Sequence, residues 1–390
     1  MILLDTAATT PVRRAALEAA WPYLTGVFGN PSSVHEPGLA AARGLAAARG
    51  GVAEFLGCRP TEVIFTSGGT EGTNLCIKGL TLATPRGRHL VTTRIEHEAV
   101  LESVAYLERV HGFIVDFVET DAAGLVTADA LRSVLRPDTA LVSIGWANNE
   151  VGTVQDVAEL ASVTHEFGAL FHTDAVQAAA ALPVNVRALG VDALSFSGHK
   201  LGAPKGSGAV FVRAGLPLEP LLHGGGQERG RRSGTENVAW AVALSAACAE
   251  LRREQSARSS ENHATGRAEG DFVTTALGAM PGTRLTGHPT RRLPGHASFV
   301  IPGVNGEAVL LELERRGVIA SAGSACAAGR TEPSHVLLAL GYTPDEASAA
   351  LRFTWTADVT AEQLREASVA LADSVAAVRG YSANDSSALA

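Results

Sequence analysis

Only three lysines occur in the chain, Lys78, Lys200 and Lys205, so any reaction that needs an amine has three candidates. Lys200 sits in Ser195-Phe196-Ser197-Gly198-His199-Lys200-Leu201-Gly202, where an apolar run breaks into small, irregular residues. Burial at such a point disfavours the charged ammonium and leaves a nucleophile able to condense with a carbonyl. Ser197 and His199 add a hydroxyl and an imidazole within reach of a phosphate. Lys205 precedes Gly206-Ser207-Gly208, a freer turn, and is the weaker candidate.

Three further segments carry chemistry. In Phe65-Thr66-Ser67-Gly68-Gly69-Thr70-Glu71 a strand-like run enters a glycine turn and then a helix pattern. Gly69 would let the backbone approach an anion, the helix start would present N–H groups to it, and Thr70 would add a hydroxyl. The alternative is an ordinary helix cap. In Phe171-His172-Thr173-Asp174-Ala175-Val176-Gln177 a carboxylate closes a strand-like run. A buried carboxylate is costly without a cation or donors, and a pyridinium nitrogen is such a cation. Asp174 could equally cap the following helix. In Ser321-Ala322-Gly323-Ser324-Ala325-Cys326-Ala327-Ala328-Gly329 nothing between the two glycines is larger than the cysteine. Such a loop packs poorly and could carry a thiol from a pocket to an acceptor; the plain alternative is a small apolar residue in a tight turn. Asn149, His97, Arg352 and Thr235 are the remaining polar candidates. Arg352 suits a bidentate clamp on a carboxylate or a surface ion pair.

These residues need elements to position them. Short apolar runs at 63–65, 89–92, 113–118, 140–144, 170–172, 193–196 and 208–212 alternate with helical patterns at 71–82, 98–111, 127–135 and 155–167. That alternation predicts an α/β fold with a mostly parallel sheet covered on both faces. Ligands of such sheets bind beyond the carboxyl ends of the strands, where the Gly69, Asp174 and Lys200 segments fall. Ser32 or Ser33 is expected to cap a helix over 38–56. The α/β block is expected to end near residue 250, with 251–272 as a polar helix or connector, and Ser382–Ala390 as a frayed tail. The large domain is expected over 15–250, and 1–14 with 251–390 form a smaller α+β domain carrying the Cys326 loop.

Composition narrows the function classes. A net charge of −8 gives no positive field for nucleic acid or an anionic membrane. No apolar stretch reaches the ~20 residues of a membrane span. Met1 leads into Ile2-Leu3-Leu4-Asp5 without a basic start, so a cytoplasmic protein is expected. Four cysteines, Cys58, Cys76, Cys248 and Cys326, show neither metal-ligand spacing nor a disulfide framework. Cys76 and Cys248 lie in helical apolar patterns and read as core; Cys58 is open between core and reactive.

Taken together, the chain from Leu4-Asp5 and Ala7-Ala8-Thr9-Thr10-Pro11 to Arg352 resembles the cysteine desulfurases, NifS/IscS-like proteins among the class V pyridoxal-phosphate (PLP) enzymes. The resemblance implies the PLP-dependent transferase fold (fold type I), with a seven-stranded sheet in the large domain. It implies conversion of L-cysteine to L-alanine, with sulfur held as a persulfide on Cys326 and passed to an acceptor protein. Lys200 resembles the lysine bound to the cofactor, Asp174 the partner of the ring nitrogen, Gln177 that of the phenolic oxygen, and His97 the imidazole stacked on the ring. Thr70, Ser197 and His199 resemble phosphate ligands. Thr235 resembles one delivered to a neighbouring subunit, which implies a homodimer. Asn149 and Arg352 resemble the residues holding the substrate carboxylate. The acceptor, an iron–sulfur scaffold or a tRNA-thiolation protein among others, stays open. The alternatives are a selenocysteine lyase, another class V enzyme, or a non-catalytic scaffold. The chain departs from the family at Phe353-Thr354-Trp355-Thr356, where Ser-x-Gly is usual, so the wall behind the substrate carboxylate is expected to differ.

Overall fold

A short opening strand, β1 (Ile2–Leu3), precedes helices α1 (Arg14–Thr25) and α2 (Glu36–Leu56). The computed structural model describes residues 1–83, 86–322 and 333–388. The α2 cap differs from the serine expected. His35 Nδ1 accepts the Gly38 N–H at 3.3 Å, while the Ser32 N–H is taken by Asn30 Oδ1 at 2.9 Å. The asparagine closes its own turn first, which moves the helix start past both serines.

Seven strands then form the main sheet: β2 (Val63–Thr66), β3 (His89–Thr92), β4 (Ile114–Phe117), β5 (Thr139–Ser143), β6 (Leu170–Asp174), β7 (Ala193–Ser197) and β8 (Gly208–Val212). Their spatial order is β2-β8-β7-β6-β5-β3-β4. All neighbours are parallel except that β8 runs antiparallel to both β2 and β7. β5, β7 and β8 are buried along their whole length, as expected of strands covered on two faces. Helix α3 (Gly69–Ala83) follows β2, and α4 (Glu98–His111) follows β3. α4 ends at Gly112 with φ 67°, a left-handed stop that glycine makes at no steric cost.

The polar stretch 251–272, expected as a helix or connector, is helical. One helix runs from Val238 to Ala279, 42 residues and about 63 Å at 1.5 Å each. No proline interrupts it. Its first half buries Ala239, Ala243, Ala247 and Leu251 in the core under the main sheet; Phe272 and Ala276 enter a second core. That second core covers a three-stranded antiparallel sheet of β9 (Arg284–Leu285), β10 (His296–Val300) and β12 (Ala350–Thr354), ordered β12-β10-β9. β1 pairs in parallel with β11 (Val318–Ile319), and Ile2 and Leu4 join this second core. Phe272 packs edge-on against Phe353 and Trp355, each with centroids 5.5 Å apart. The last helix, Ala361–Ala388, continues through the segment expected to fray, where neither proline nor glycine follows Gly380.

Among the described residues no helix is long and apolar enough to cross a membrane, and no cluster of His, Cys, Asp and Glu is arranged for a metal ion.

Candidate active site

The carboxyl ends of β3, β5, β6 and β7 open onto a cavity of about 260 Å³. Gly69, Thr70, His97, Asn149, Asp174, Gln177, Ser197, His199, Lys200 and Arg352, ten residues singled out in the sequence, all line it.

Lys200 follows β7 in a single 3-10 turn, and its Nζ donates to the carbonyl of Ala8 at 2.8 Å and to that of Ala7. Gln177 Nε2 donates to the Ala7 carbonyl as well, at 3.1 Å. The opening segment is therefore part of the cavity wall. Asp174 ends β6. Its Oδ1 accepts the Val176 N–H at 2.8 Å and its Oδ2 the Thr73 hydroxyl at 3.4 Å. No salt-bridge partner reaches it among the described residues, and burial pushes its pKa up, against the opposing pull of His97, these two donors and Lys200. A buried carboxylate in that state calls for a cation in the cavity.

At the other end, α3 begins at Gly69, so the N–H groups of its first turn face the cavity unclaimed by intrahelical bonds. A Cβ on Gly69 would come within 2.6 Å of Val176 Cγ2, so glycine is required for this approach. His199 Nδ1 lies 3.1 Å from the Thr9 hydroxyl. Burial, with Lys200 and Lys205 nearby, lowers its pKa to about 4, so near pH 7 it is a neutral donor or acceptor. Amide, hydroxyl and neutral imidazole groups make a fitting cup for a phosphate. His97 caps α4, its Nδ1 accepting the Ala99 N–H at 3.0 Å, which fixes the ring at the helix start.

The opposite wall comes from the small sheet. Arg352 of β12 is 2% exposed; it donates to the Asn149 carbonyl at 3.1 Å and to Asp5 Oδ1 at 2.9 Å. His296 Nε2 lies 3.4 Å from the same carbonyl. The altered residues after Arg352 turn away from this cavity. Phe353 and Trp355 join the second core, and the Thr354 hydroxyl accepts the Ala7 N–H at 2.8 Å. Thr354 and Trp355 line a separate cavity behind Lys200, so the family departure reshapes that space and not the main pocket.

One predicted residue, Thr235, is not brought into the pocket. Thr235 lines a different cavity with Ser67, Arg232 and Trp240. Cys326 lies outside the described residues. Both flanks of its segment are anchored at the pocket. Ser321 exchanges backbone hydrogen bonds with Arg352, at 2.6 and 3.1 Å, and on the far side the Ser334 hydroxyl donates to Glu150 while His335 Nε2 lies 3.0 Å from the Glu96 carbonyl. Burial pushes the Cys58 thiol up to about 12 and raises those of Cys76 and Cys248 as well, which disfavours the thiolate at all three.

Glu96 also lines the pocket and was not singled out. Its carboxylate accepts the Thr93 hydroxyl at 2.8 Å and the Gly145 N–H at 2.9 Å. The signal available was the one used for Asp174, an acid just past a buried strand.

A family model for aminotransferase class V matches residues 2–366. A cysteine desulfurase IscS of Methanosarcina thermophila is 42% identical over 354 residues, 90% of this chain and 86% of that protein. Among solved structures, a NifS-like protein superposes with a TM-score of 0.88 at 34% identity, covering 96% of this chain and 99% of that one. A structure described as SspA in complex with cysteine gives a TM-score of 0.77 at 34% identity, covering 91% and 98%.

Proposed function

The chain belongs to the aminotransferase class V family, and on that premise we propose that it is a PLP-dependent cysteine desulfurase that holds sulfur on Cys326. The observation that carries this reading is the cavity itself. It joins an amine, a buried carboxylate lacking a cation and a phosphate cup on one wall to a buried arginine on the other.

The residues fit PLP. Thr70, Ser197, His199 and the start of α3 would hold its phosphate, Asp174 its ring nitrogen, Gln177 its phenolic oxygen, and His97 the ring face. When bound, PLP supplies an electron sink for charge developing at the substrate Cα. Lys200 anchors the cofactor and then moves the Cα proton. Arg352 receives the substrate carboxylate beside Asn149, which leaves the substrate sulfur turned to the open side of the pocket. The Cys326 thiolate attacks that sulfur; the carbon–sulfur bond breaks and a sulfur–sulfur bond forms. Protons return to carbon, so cysteine and an enzyme thiol become alanine and an enzyme persulfide. Support for Cys326 comes from the anchoring of both flanks of its segment beside the pocket and from the raised pKa of the other three thiols.

A homodimer belongs to the same reading, with Thr235 reaching the partner's phosphate cup. The exposed Trp21, Phe28 and Val34, close together in sequence, support an apolar interface. Residues 15–250 would then be the cofactor-binding unit, with 1–14 and 251–390 the smaller one. The sulfur passes to an acceptor protein, such as an iron–sulfur scaffold, in the cytoplasm.

The test uses the PLP-loaded protein with labelled cysteine. Alanine release and a labelled persulfide mapped to Cys326 by mass spectrometry are expected, and Cys326→Ser should retain the visible absorbance yet transfer no sulfur. Sulfur delivery that survives this substitution would remove the persulfide role.

A further inference from the structure

Behind Asp174 a file of four polar side chains crosses the middle of the main sheet, in a layer where apolar packing is the rule. His172 and Asp174 lie two apart on β6 and so share a face. The ladder register sets Ser143 of β5 beside His172, and Ser195 of β7 beside Asp174. Thr73 of α3 covers this face. Its neighbour Gly72 lets the helix lie close, since a Cβ at 72 would stand 2.8 Å from Val210 Cγ1 and 3.3 Å from Ser195 Cβ.

The side chains touch end to end. Ser143 Oγ lies 2.9 Å from His172 Nδ1, and His172 Nε2 lies 3.2 Å from Ser195 Oγ. Ser195 Oγ is 2.8 Å from Thr73 Oγ1, whose hydroxyl reaches Asp174 Oδ2. None of the four is more than 2% exposed. Burial lowers the His172 pKa to about 3, so the imidazole is neutral and carries one N–H.

Counting protons gives the file a direction. An ionised Asp174 only accepts, so the single Thr73 proton goes to it. Ser195 must then donate to Thr73, His172 must donate from Nε2 to Ser195, and bare Nδ1 accepts the Ser143 hydroxyl. All donors point at the carboxylate, and chains of this kind polarise one another. In the opposite polarity Thr73 donates to Ser195, and Asp174 loses its hydroxyl donor.

We propose that Thr73, Ser195, His172 and Ser143 form a positioning relay that keeps Asp174 charged and aimed at the cofactor ring nitrogen, with the Nε2–H tautomer of His172 fixed by that charge. This rests on the reading of Asp174 given under Proposed function. The relay extends the site into the sheet, beyond any group that touches the cofactor.

Nitrogen-15 spectra of histidine-labelled holoenzyme, with His172→Gln for assignment, read the tautomer directly. A neutral Nε2–H ring is expected; an Nδ1–H ring, a mixture or an imidazolium would overturn the relay. Thr73→Val should release the tautomer into a mixture and weaken PLP binding about tenfold, the low end for a hydrogen bond to a charged group. Thr73→Ser should restore both. Unchanged tautomer and affinity in Thr73→Val would also overturn the proposal, and if that variant does not fold, the wild-type spectrum still decides. Failure to take up PLP alongside an Nε2–H His172 would instead strike the functional reading.

Discussion

The two walls of the pocket are assembled by different means. On the cofactor wall, Asp174, Gln177, Ser197, His199 and Lys200 leave two adjacent parallel strands, β6 and β7, inside residues 174–200. On the substrate wall, Arg352 bonds the carbonyl of Asn149 from 203 positions away and Asp5 from 347. On the first wall, sheet register sets those five residues side by side, and the opening segment closes over them through the Ala7 and Ala8 carbonyls. The second exists only when the small sheet, the opening segment and the turn after β5 meet. On the proposed function the division has a purpose: the wall that would hold the cofactor ring needs to be stiff, whereas the wall with Arg352 would bind and release a small molecule and is bonded to Ser321, which precedes the Cys326 segment.

The largest effect should come from the cofactor wall. Lys200→Ala should abolish the visible absorbance of bound PLP and lower alanine formation by at least ~10³-fold, as positioned proton transfer alone contributes about 10²–10⁴. Retained absorbance would move the amine to Lys205. On the substrate wall, Arg352→Met should leave the absorbance unchanged and raise KM for cysteine about tenfold to a hundredfold, the worth of a hydrogen-bonded charge pair. A changed spectrum would mean the walls are not separable. Thr235→Ala should weaken PLP binding roughly threefold to tenfold through one lost phosphate contact. Equilibrium dialysis measures this, and sedimentation should show a dimer; a monomer with unaltered affinity removes the shared cup.

A separate effect, on stability and not on cofactor or substrate binding, concerns Glu96, which lines the same pocket. Burial first, and Asp174 in addition, raise its pKa to about 7 despite its hydrogen bonds. The unfolded chain releases this proton near pH 4.5 and the folded one only near 7. Between those values the folded state binds more protons, so stability falls as pH rises through the window. Glu96→Gln should therefore gain on cofactor-free wild type between pH 5 and pH 8, by on the order of 1–3 kcal/mol. Melting curves at the two pH values would show this as a gap of a few degrees; an equal gap at both would mean Glu96 does not titrate there.

Legibility in the sequence followed the same line. All seven strands of the main sheet overlap apolar runs, because strands covered on both faces are mostly apolar; edge strand β4 is more exposed and β6 and β7 carry polar residues as well. β12 was missed, since Ala350-Leu351-Arg352-Phe353-Thr354 places a charge inside a short run and looks like no buried strand. The charge is tolerated because Asp5 and the Asn149 carbonyl meet it. The stretch 251–272 reads in sequence as either a helix or a connector because it lacks an apolar face, and its helical continuity rests on its two packed ends.

By itself the sequence determined the sheet, the strand ends and the chemical types placed there, because period and propensity act over a few residues. Only the tertiary structure decided that Lys200 meets the Ala7 and Ala8 carbonyls, that Arg352 faces Asn149, and that four polar side chains line up behind Asp174. Those contacts join residues far apart in the chain, and register and helix approach, here permitted by Gly72, set them.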